Sequence, residues 1–234
     1  MKVAIIVFPG TNCDWDTYHV LKNVTNYDVT LLWHNSDKRL DEFDAIILPG
    51  GFSYGDHLRA GVIAAHSPIM KEVKRQAKDN KLILGICNGF QILVEAKLLE
   101  GALLRNSSLK FICKWVNLKV ENKNTPFTNR IIKNVIKLPI AHNEGRYYVD
   151  EDTLDYMRRK EMIIFRYCGE EGEVSYKFNP NGSLDNIAGV CNYEKNVLGL
   201  MPHPERASER ILSPFNSEDG RYIFESMRWW LCKG

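Results

Sequence analysis

Leu82-Ile83-Leu84-Gly85-Ile86-Cys87-Asn88-Gly89-Phe90-Gln91 is the stretch from which the fold can be read. Leu82–Ile86 is a continuous apolar run, the pattern of a strand buried on both faces. From Phe90 to Lys97 the spacing turns helical. The join between them, Gly85-Ile86-Cys87-Asn88-Gly89, has the form G-x-C-x-G, the cysteine version of a nucleophile elbow. A side chain raised on so sharp a strand-to-helix turn leaves no room for bulk two residues to either side, which accounts for the glycines. The turn carries the sulfur past the sheet edge. The helix that follows turns its free N–H groups toward the sulfur, which stabilises negative charge there. The Asn88 N–H is placed to face a developing oxyanion. A buried cysteine in an ordinary βα turn is the alternative, and the position straight after a buried strand favours the nucleophile.

Upstream, strands are expected at Lys2–Phe8, Val29–Trp33 and Ala45–Leu48, the last stopped by Pro49-Gly50-Gly51. Helices are expected over Trp15–Asn23, with Asp14 as its cap, and over Pro68–Asp79. This βαβα order implies parallel strands with helices on both faces. Downstream the chain is richer in strand patterns: Phe111–Val120, Ile136–Ala141, Met162–Tyr167, Glu173–Phe178, Ile187–Asn192 and Val197–Leu200. Asn181-Gly182 suits a hairpin turn. A last helix is expected over Gly220–Leu231, with Tyr222, Ile223, Met227, Trp230 and Leu231 on its apolar face; the adjacent Trp229-Trp230 reads as packing. The expectation is therefore an α/β fold in one domain, residues 1–234. It has a mostly parallel central sheet flanked by helices and an additional β-rich region in the second half.

Ligands of open parallel sheets bind beyond the carboxyl ends of the strands. That directs attention to Pro9–Asp14, Pro49–Asp56, Cys87–Gly89 and Pro202–Glu205. In Pro202-His203-Pro204-Glu205 the prolines forbid regular helix and favour extended backbone. Residues two apart then project to one side. His203 can exchange protons with a leaving group, and Glu205 can fix its tautomer. The alternative is a proline-rich loop with an incidental histidine. The paired glycines at Gly50 and Gly51 let backbone N–H groups approach a ligand, so Gly51 joins Asn88 as a candidate oxyanion donor. Gln91 stands one helical turn past Cys87 and can reach back over it. Cys13 lacks glycines on both sides and is not expected to be catalytic.

Composition narrows the function classes. The 234 residues are 44% hydrophobic and 26% charged, as in ordinary globular proteins, and the net charge of +2 offers no field for nucleic acid or membranes. No apolar run approaches the ~18 residues that span a bilayer, and Met1–Phe8 is too short for a signal-peptide core. A cytoplasmic chain is expected. The six cysteines form no C-x-x-C pair, so neither a zinc ribbon nor a thioredoxin-like motif is expected.

Taken together, Leu48-Pro49-Gly50-Gly51, Gly85–Gln91 and Pro202–Glu205 resemble the triad (class I) glutamine amidotransferases in order and spacing. Gly10-Thr11-Asn12-Cys13-Asp14, Gly50-Gly51-Phe52-Ser53-Tyr54-Gly55-Asp56, Leu58-Arg59-Ala60-Gly61 and His142 with Glu144-Gly145-Arg146-Tyr147 narrow this to the glutaminase subunits of purine biosynthesis. The resemblance runs from Met1 to the last helix. It implies a flavodoxin-like amidotransferase fold in which Cys87, His203 and Glu205 form a triad that hydrolyses glutamine through a thioester. It implies an oxyanion hole from the Gly51 and Asn88 backbone, and glutamine held by Gly50, Phe52, Gln91, His142, Asn143 and Gly145. It further implies a large synthetase subunit that uses ATP and Mg²⁺ to amidinate formylglycinamide ribonucleotide, and a small bridging subunit. This chain itself needs no cofactor and no metal, and has no Walker-type loop. Many members carry Gly where this chain has Asn143, and Asn tolerates positive φ better than most residues. Another synthetase's glutaminase, or a DJ-1-like cysteine hydrolase, is the alternative. The Gly50–Asp56 string argues against the first and the late His-Pro-Glu against the second.

Overall fold

A computed structural model describes residues 1–233. The first half runs β1 (Lys2–Val7), α1 (Asp14–His19), β2 (Asp28–Trp33), β3 (Ala45–Leu48), α2 (Ile69–Lys78), β4 (Leu82–Ile86) and α3 (Asn88–Glu95). The second half runs β5 (Ala102–Leu104), β6 (Ile112–Val120), β7 (Val135–His142), β8 (Arg146–Tyr148), α4 (Glu151–Arg159), β9 (Ile163–Cys168), β10 (Ile187–Cys191), β11 (Val197–Leu200) and α5 (Arg221–Lys233). One sheet holds nine strands in the order β2-β1-β3-β4-β11-β10-β9-β6-β7. The run from β2 to β11 is parallel, and from β11 onward every pairing is antiparallel. The β-rich second half thus extends the central sheet rather than standing apart from it. β5 and β8 form a separate antiparallel pair.

The apolar runs explain the centre. β3 and β4 are buried at every position, because neighbouring strands occupy both edges and α3 packs over β3, β4 and β11. Toward the far edge the burial of β7 alternates, as expected where one face meets solvent. The insertion of β11 between β4 and β10 is decisive for function. It sets the loop after β11 beside the loop after β4, so that residues more than a hundred positions apart meet at one end of the sheet.

Several sequence expectations need correction. Cys13 rather than Asp14 precedes the first helix, and a π-helical turn over Val20–Val24 continues it. Helix α3 begins at Asn88, directly after Cys87, not at Phe90. Glu173–Phe178 is not a strand: Tyr176–Phe178 is a single 3-10 turn, so Asn181-Gly182 closes no hairpin. There the side chains do what a partner strand would have done. Asn186 Nδ2 donates to the Ser175 carbonyl at 2.8 Å, and Asn179 Nδ2 to the Ser183 carbonyl at 2.7 Å. On α5 the buried positions are Ile223, Phe224, Ser226 and Met227, while Trp230 and Leu231 are exposed. The unforeseen α4 is capped by Asp150, whose Oδ1 accepts from the Thr153 N–H at 2.9 Å.

Candidate active site

Cys87 leaves β4 in a conformation few non-glycine residues adopt, φ +51° and ψ −104°. Such backbone costs about 1–3 kcal/mol and persists only where the surroundings impose it. Here they do. The Cys87 N–H is held by the Leu200 carbonyl at 2.8 Å, and α3 starts one residue later. The flanking glycines are demanded by close packing. A Cβ on Gly89 would collide with the Leu48 carbonyl, and one on Gly85 would lie 2.7 Å from the Gly89 backbone. The Cys87 sulfur lies 3.7 Å from the Ala141 carbonyl. The N-terminus of α3, with the Asn88 N–H first in line, stands directly beside it.

The loop after β11 supplies the imidazole. The His203 N–H donates to the Pro139 carbonyl at 2.8 Å, which ties this loop to β7. The side chains of His203 and Glu205 are both buried, with Nδ1 to Oε1 at 2.6 Å. Beside a carboxylate, Nδ1 carries the proton, which leaves Nε2 as the end free for proton transfer. His203 Nε2 and Glu205 Oε2 are buried without a hydrogen-bond partner among the described residues. Burial pushes the His203 pKa down, but the Glu205 carboxylate, then the Cys87 and Cys13 sulfurs, outweigh it and hold it well above the ordinary 6.5.

A third loop closes the site from beyond β3. Phe52 N–H donates to the Gly10 carbonyl at 2.9 Å, and the N–H groups of Asn12 and Cys13 both reach the Gly50 carbonyl, at 3.3 and 3.1 Å. Gly51 lies at φ +144°, and a Cβ there would stand 2.5 Å from the Asn12 nitrogen, so only glycine fits. Gly50 lies under the His203 ring: a Cβ there would be 2.8 Å from its Cε1. Together these loops enclose a cavity of about 110 Å³ lined by Cys13, Gly51, Phe52, Cys87, Phe111 and His203 among others. Arg206 also lines a wider cavity of about 460 Å³, together with Glu205.

The remaining expected residues lie outside that lining and brace it. Gln91 has both ends of its amide engaged: Nε2 donates to the Glu144 carbonyl at 2.6 Å, and Oε1 accepts from Asn88 Nδ2 at 2.8 Å. Asn88 Oδ1 in turn accepts from the Ser53 N–H at 3.1 Å, so this chain of amides fixes the Phe52–Ser53 segment. His142 is buried, with Nδ1 3.0 Å from Asn106 Oδ1. Burial, then the neighbouring His203, press its pKa down to about 3, so it stays neutral. Gly145 gives its N–H to the same Asn106 Oδ1 at 3.2 Å. The Asn143 carbonyl accepts from the Asn106 N–H at 2.9 Å, and the residue stays outside the left-handed region, so the tolerance for positive φ expected of it is not used.

Sequence reading missed Asn106, Arg206 and the setting of Cys13. Asn106 sits in a turn with no motif. Cys13 and Arg206 could have been suspected, one beyond the end of β1 and the other next to Glu205. Arg206 Nη2 donates to Cys13 Sγ at 3.0 Å. Phe111 lines the cavity beside Phe52. Tyr167 is fully buried, and that burial raises the pKa of its hydroxyl.

Residues 1–231 match the CobB/CobQ-like glutamine amidotransferase domain family. The chain is 58% identical to the phosphoribosylformylglycinamidine synthase subunit PurQ of Methanosarcina mazei, over 97% of both chains. It is 51% identical to the same subunit of Aquifex aeolicus, over 97% of this chain and 99% of that one. Among solved structures it superimposes on a chain of PurLQS from Thermotoga maritima with a TM-score of 0.85 and 46% identity, covering 98% of each chain. A glutamine amidotransferase from Thermotoga maritima shares the fold at a TM-score of 0.62 and 16% identity, covering 100% of this chain and 99% of that one.

Proposed function

The chain belongs to the CobB/CobQ-like glutamine amidotransferase family, and from that premise we propose that it is the glutaminase subunit of a phosphoribosylformylglycinamidine synthase. The observation that carries this reading is one cavity lined by both Cys87, on its strained bend, and His203, backed by Glu205. The Cys87 sulfur attacks the carboxamide carbon of glutamine. The negative charge that develops on the amide oxygen is met by the N–H groups of Asn88 and Gly51. His203 Nε2 delivers a proton to the departing nitrogen while Glu205 stabilises the imidazolium. Ammonia leaves, and a γ-glutamyl thioester remains on Cys87. Water, deprotonated by His203, then releases glutamate. The backbone of Gly50 and Gly51 and the ring of Phe52 hold the substrate. Gln91, His142, Asn143 and Gly145 shape the wall behind it.

In water at neutral pH ammonia is mostly ammonium, which is not nucleophilic, so the product must pass directly to a partner. We assign that role to a large synthetase subunit, which uses ATP and Mg²⁺ to turn formylglycinamide ribonucleotide into its amidine, with a small bridging subunit. The PurLQS assembly to which the chain is similar supports this reading. No helix among the described residues is long and apolar enough to cross a membrane, and we place the complex in the cytoplasm. The test is to capture the synthetase with this chain and to assay glutamine-dependent amidination. A complex that uses free ammonium salts but not glutamine would refute the assignment.

A further inference from the structure

A second sulfur stands beside the same imidazole. Cys13 Sγ, a ring nitrogen of His203 and a carboxylate oxygen of Glu205 all lie within 4.8 Å of one another, and all three residues are buried. We propose that Cys13, His203 and Glu205 form a binding site for a thiophilic divalent cation, zinc above all, and that an ion held there switches the glutaminase off by occupying the imidazole.

The donor set selects the ion. One sulfur, one imidazole nitrogen and one carboxylate oxygen suit zinc, whereas calcium and magnesium prefer oxygen donors alone. The ligands of a tetrahedral zinc stand about 3.3–3.7 Å apart, so the observed spread needs a contraction of about 1 Å or a little more. Three protein donors leave a fourth position for water. Glu205 already offers the buried, unpartnered Oε2. The one guanidinium at the site does not block it. Arg206 Nη2 donates to Cys13 Sγ at 3.0 Å and its Nε stands 3.9 Å from Glu205 Oε1, but the same Nε is closer, at 3.4 Å, to Asp16 Oδ2, an alternative partner when a cation takes the sulfur. The donors face two cavities that both have Arg206 in their walls: Cys13 and His203 line the smaller, and Glu205 lines the wider. Binding displaces the Cys13 thiol proton and the proton on the ring nitrogen that the ion takes; both go to solvent. The imidazole then can no longer move between Cys87 and the leaving nitrogen.

The inhibitory half rests on the glutaminase reading; the binding half does not. The test therefore has two arms on the full chain. In the first, Co²⁺ is titrated into the wild type, Cys87→Ala, Cys13→Ala and Cys13→Ser, each checked for a cooperative melt. A thiolate-to-cobalt charge-transfer band is expected in the wild type and in Cys87→Ala, displaced by Zn²⁺, and lost in both Cys13 variants. A band that needs Cys87, one that survives loss of Cys13, or no band in the wild type overturns the site. In the second arm, glutamate release by the complex with its synthetase is followed against Zn²⁺. The Zn²⁺ concentration that halves each enzyme's own rate is expected to rise at least tenfold in Cys13→Ser, with chelator restoring the wild type. Equal sensitivity overturns the inhibitory half. If the uninhibited wild-type complex releases no glutamate, the glutaminase reading fails together with that half, while the cobalt band still decides the site.

Discussion

His203 Nδ1 and Glu205 Oε1 stand 2.6 Å apart with both side chains buried, so the acid meets the base in a dry setting where their attraction is little screened. Glu205→Gln keeps the shape but replaces the charge with an amide. The imidazolium formed during proton transfer then loses its counterion, and the ring can adopt the wrong tautomer. Glutamate release is expected to fall by about 10³-fold, approaching the scale seen when a triad acid is neutralised. Covalent labelling of Cys87 by a glutamine-directed electrophile should slow alongside it. Wild-type turnover in Glu205→Gln would remove Glu205 from the chemistry.

Cys87→Ala is expected to lose glutamine hydrolysis while folding normally, since the side chain is small and only weakly bonded to the Ala141 carbonyl. The backbone at φ +51° makes a sharper prediction. Alanine keeps the strain and glycine releases it. Cys87→Gly should therefore be more stable than Cys87→Ala by about 1 kcal/mol, despite glycine's greater chain entropy when unfolded. Denaturant melts of the two inactive variants measure this directly. Equal stabilities would mean that the bend is not strained.

Gly89→Ala should be far more damaging than an ordinary helix substitution. Its methyl group would collide with the Leu48 carbonyl, which belongs to β3 and cannot swing aside as a flexible side chain could. Overpacking of this kind costs about 1–3 kcal/mol, and here it also pushes the bend away from the Gly50–Gly51 loop. A drop in stability together with loss of activity is expected. A variant as stable and active as the wild type would show that β3 and α3 are not in close contact.

The parts legible in the sequence were those enforced by local chemistry. Continuous apolar runs gave β3, β4 and β11 at their observed limits, and the G-x-C-x-G spacing marked the bend. The Pro-His-Pro-Glu string marked an imidazole and a carboxylate as neighbours, but not through the extended backbone expected of it: His203 is extended, whereas Pro204–Ala207 forms a 3-10 turn that carries Glu205 back to the ring. The rest depended on long-range pairing. Nothing local says that β11 lies between β4 and β10, yet that order alone brings His203 to Cys87. Glu173–Phe178 looked like a strand, but its Ser175 carbonyl goes to the Asn186 side chain while Asn179 binds the Ser183 carbonyl of the turn that follows, which no period in the sequence reveals. Cys13 was set aside for want of flanking glycines, a test suited to a nucleophile and blind to a residue that serves by standing next to one.

Asp56 supplies a pH-dependent test of the loop that carries Phe52. Burial, then repulsion from Glu144, raise its pKa from 3.8 to about 6, and its Oδ1 is buried without a hydrogen-bond partner among the described residues. An acid with a raised pKa in the folded state holds its proton there after the unfolded chain has released it. Stability is therefore lost as pH climbs from about 4 to about 6, and the full penalty remains above that window. Asp56→Asn removes the charge and keeps a residue suited to the φ of +53° at this position. It should leave stability unchanged near pH 4 and raise it by about 1 kcal/mol at pH 7–8, a figure reduced for the half-exposure of the group. Urea melts of the two proteins across that range decide it. A gain that is the same at every pH would trace the effect to backbone preference rather than to the buried charge.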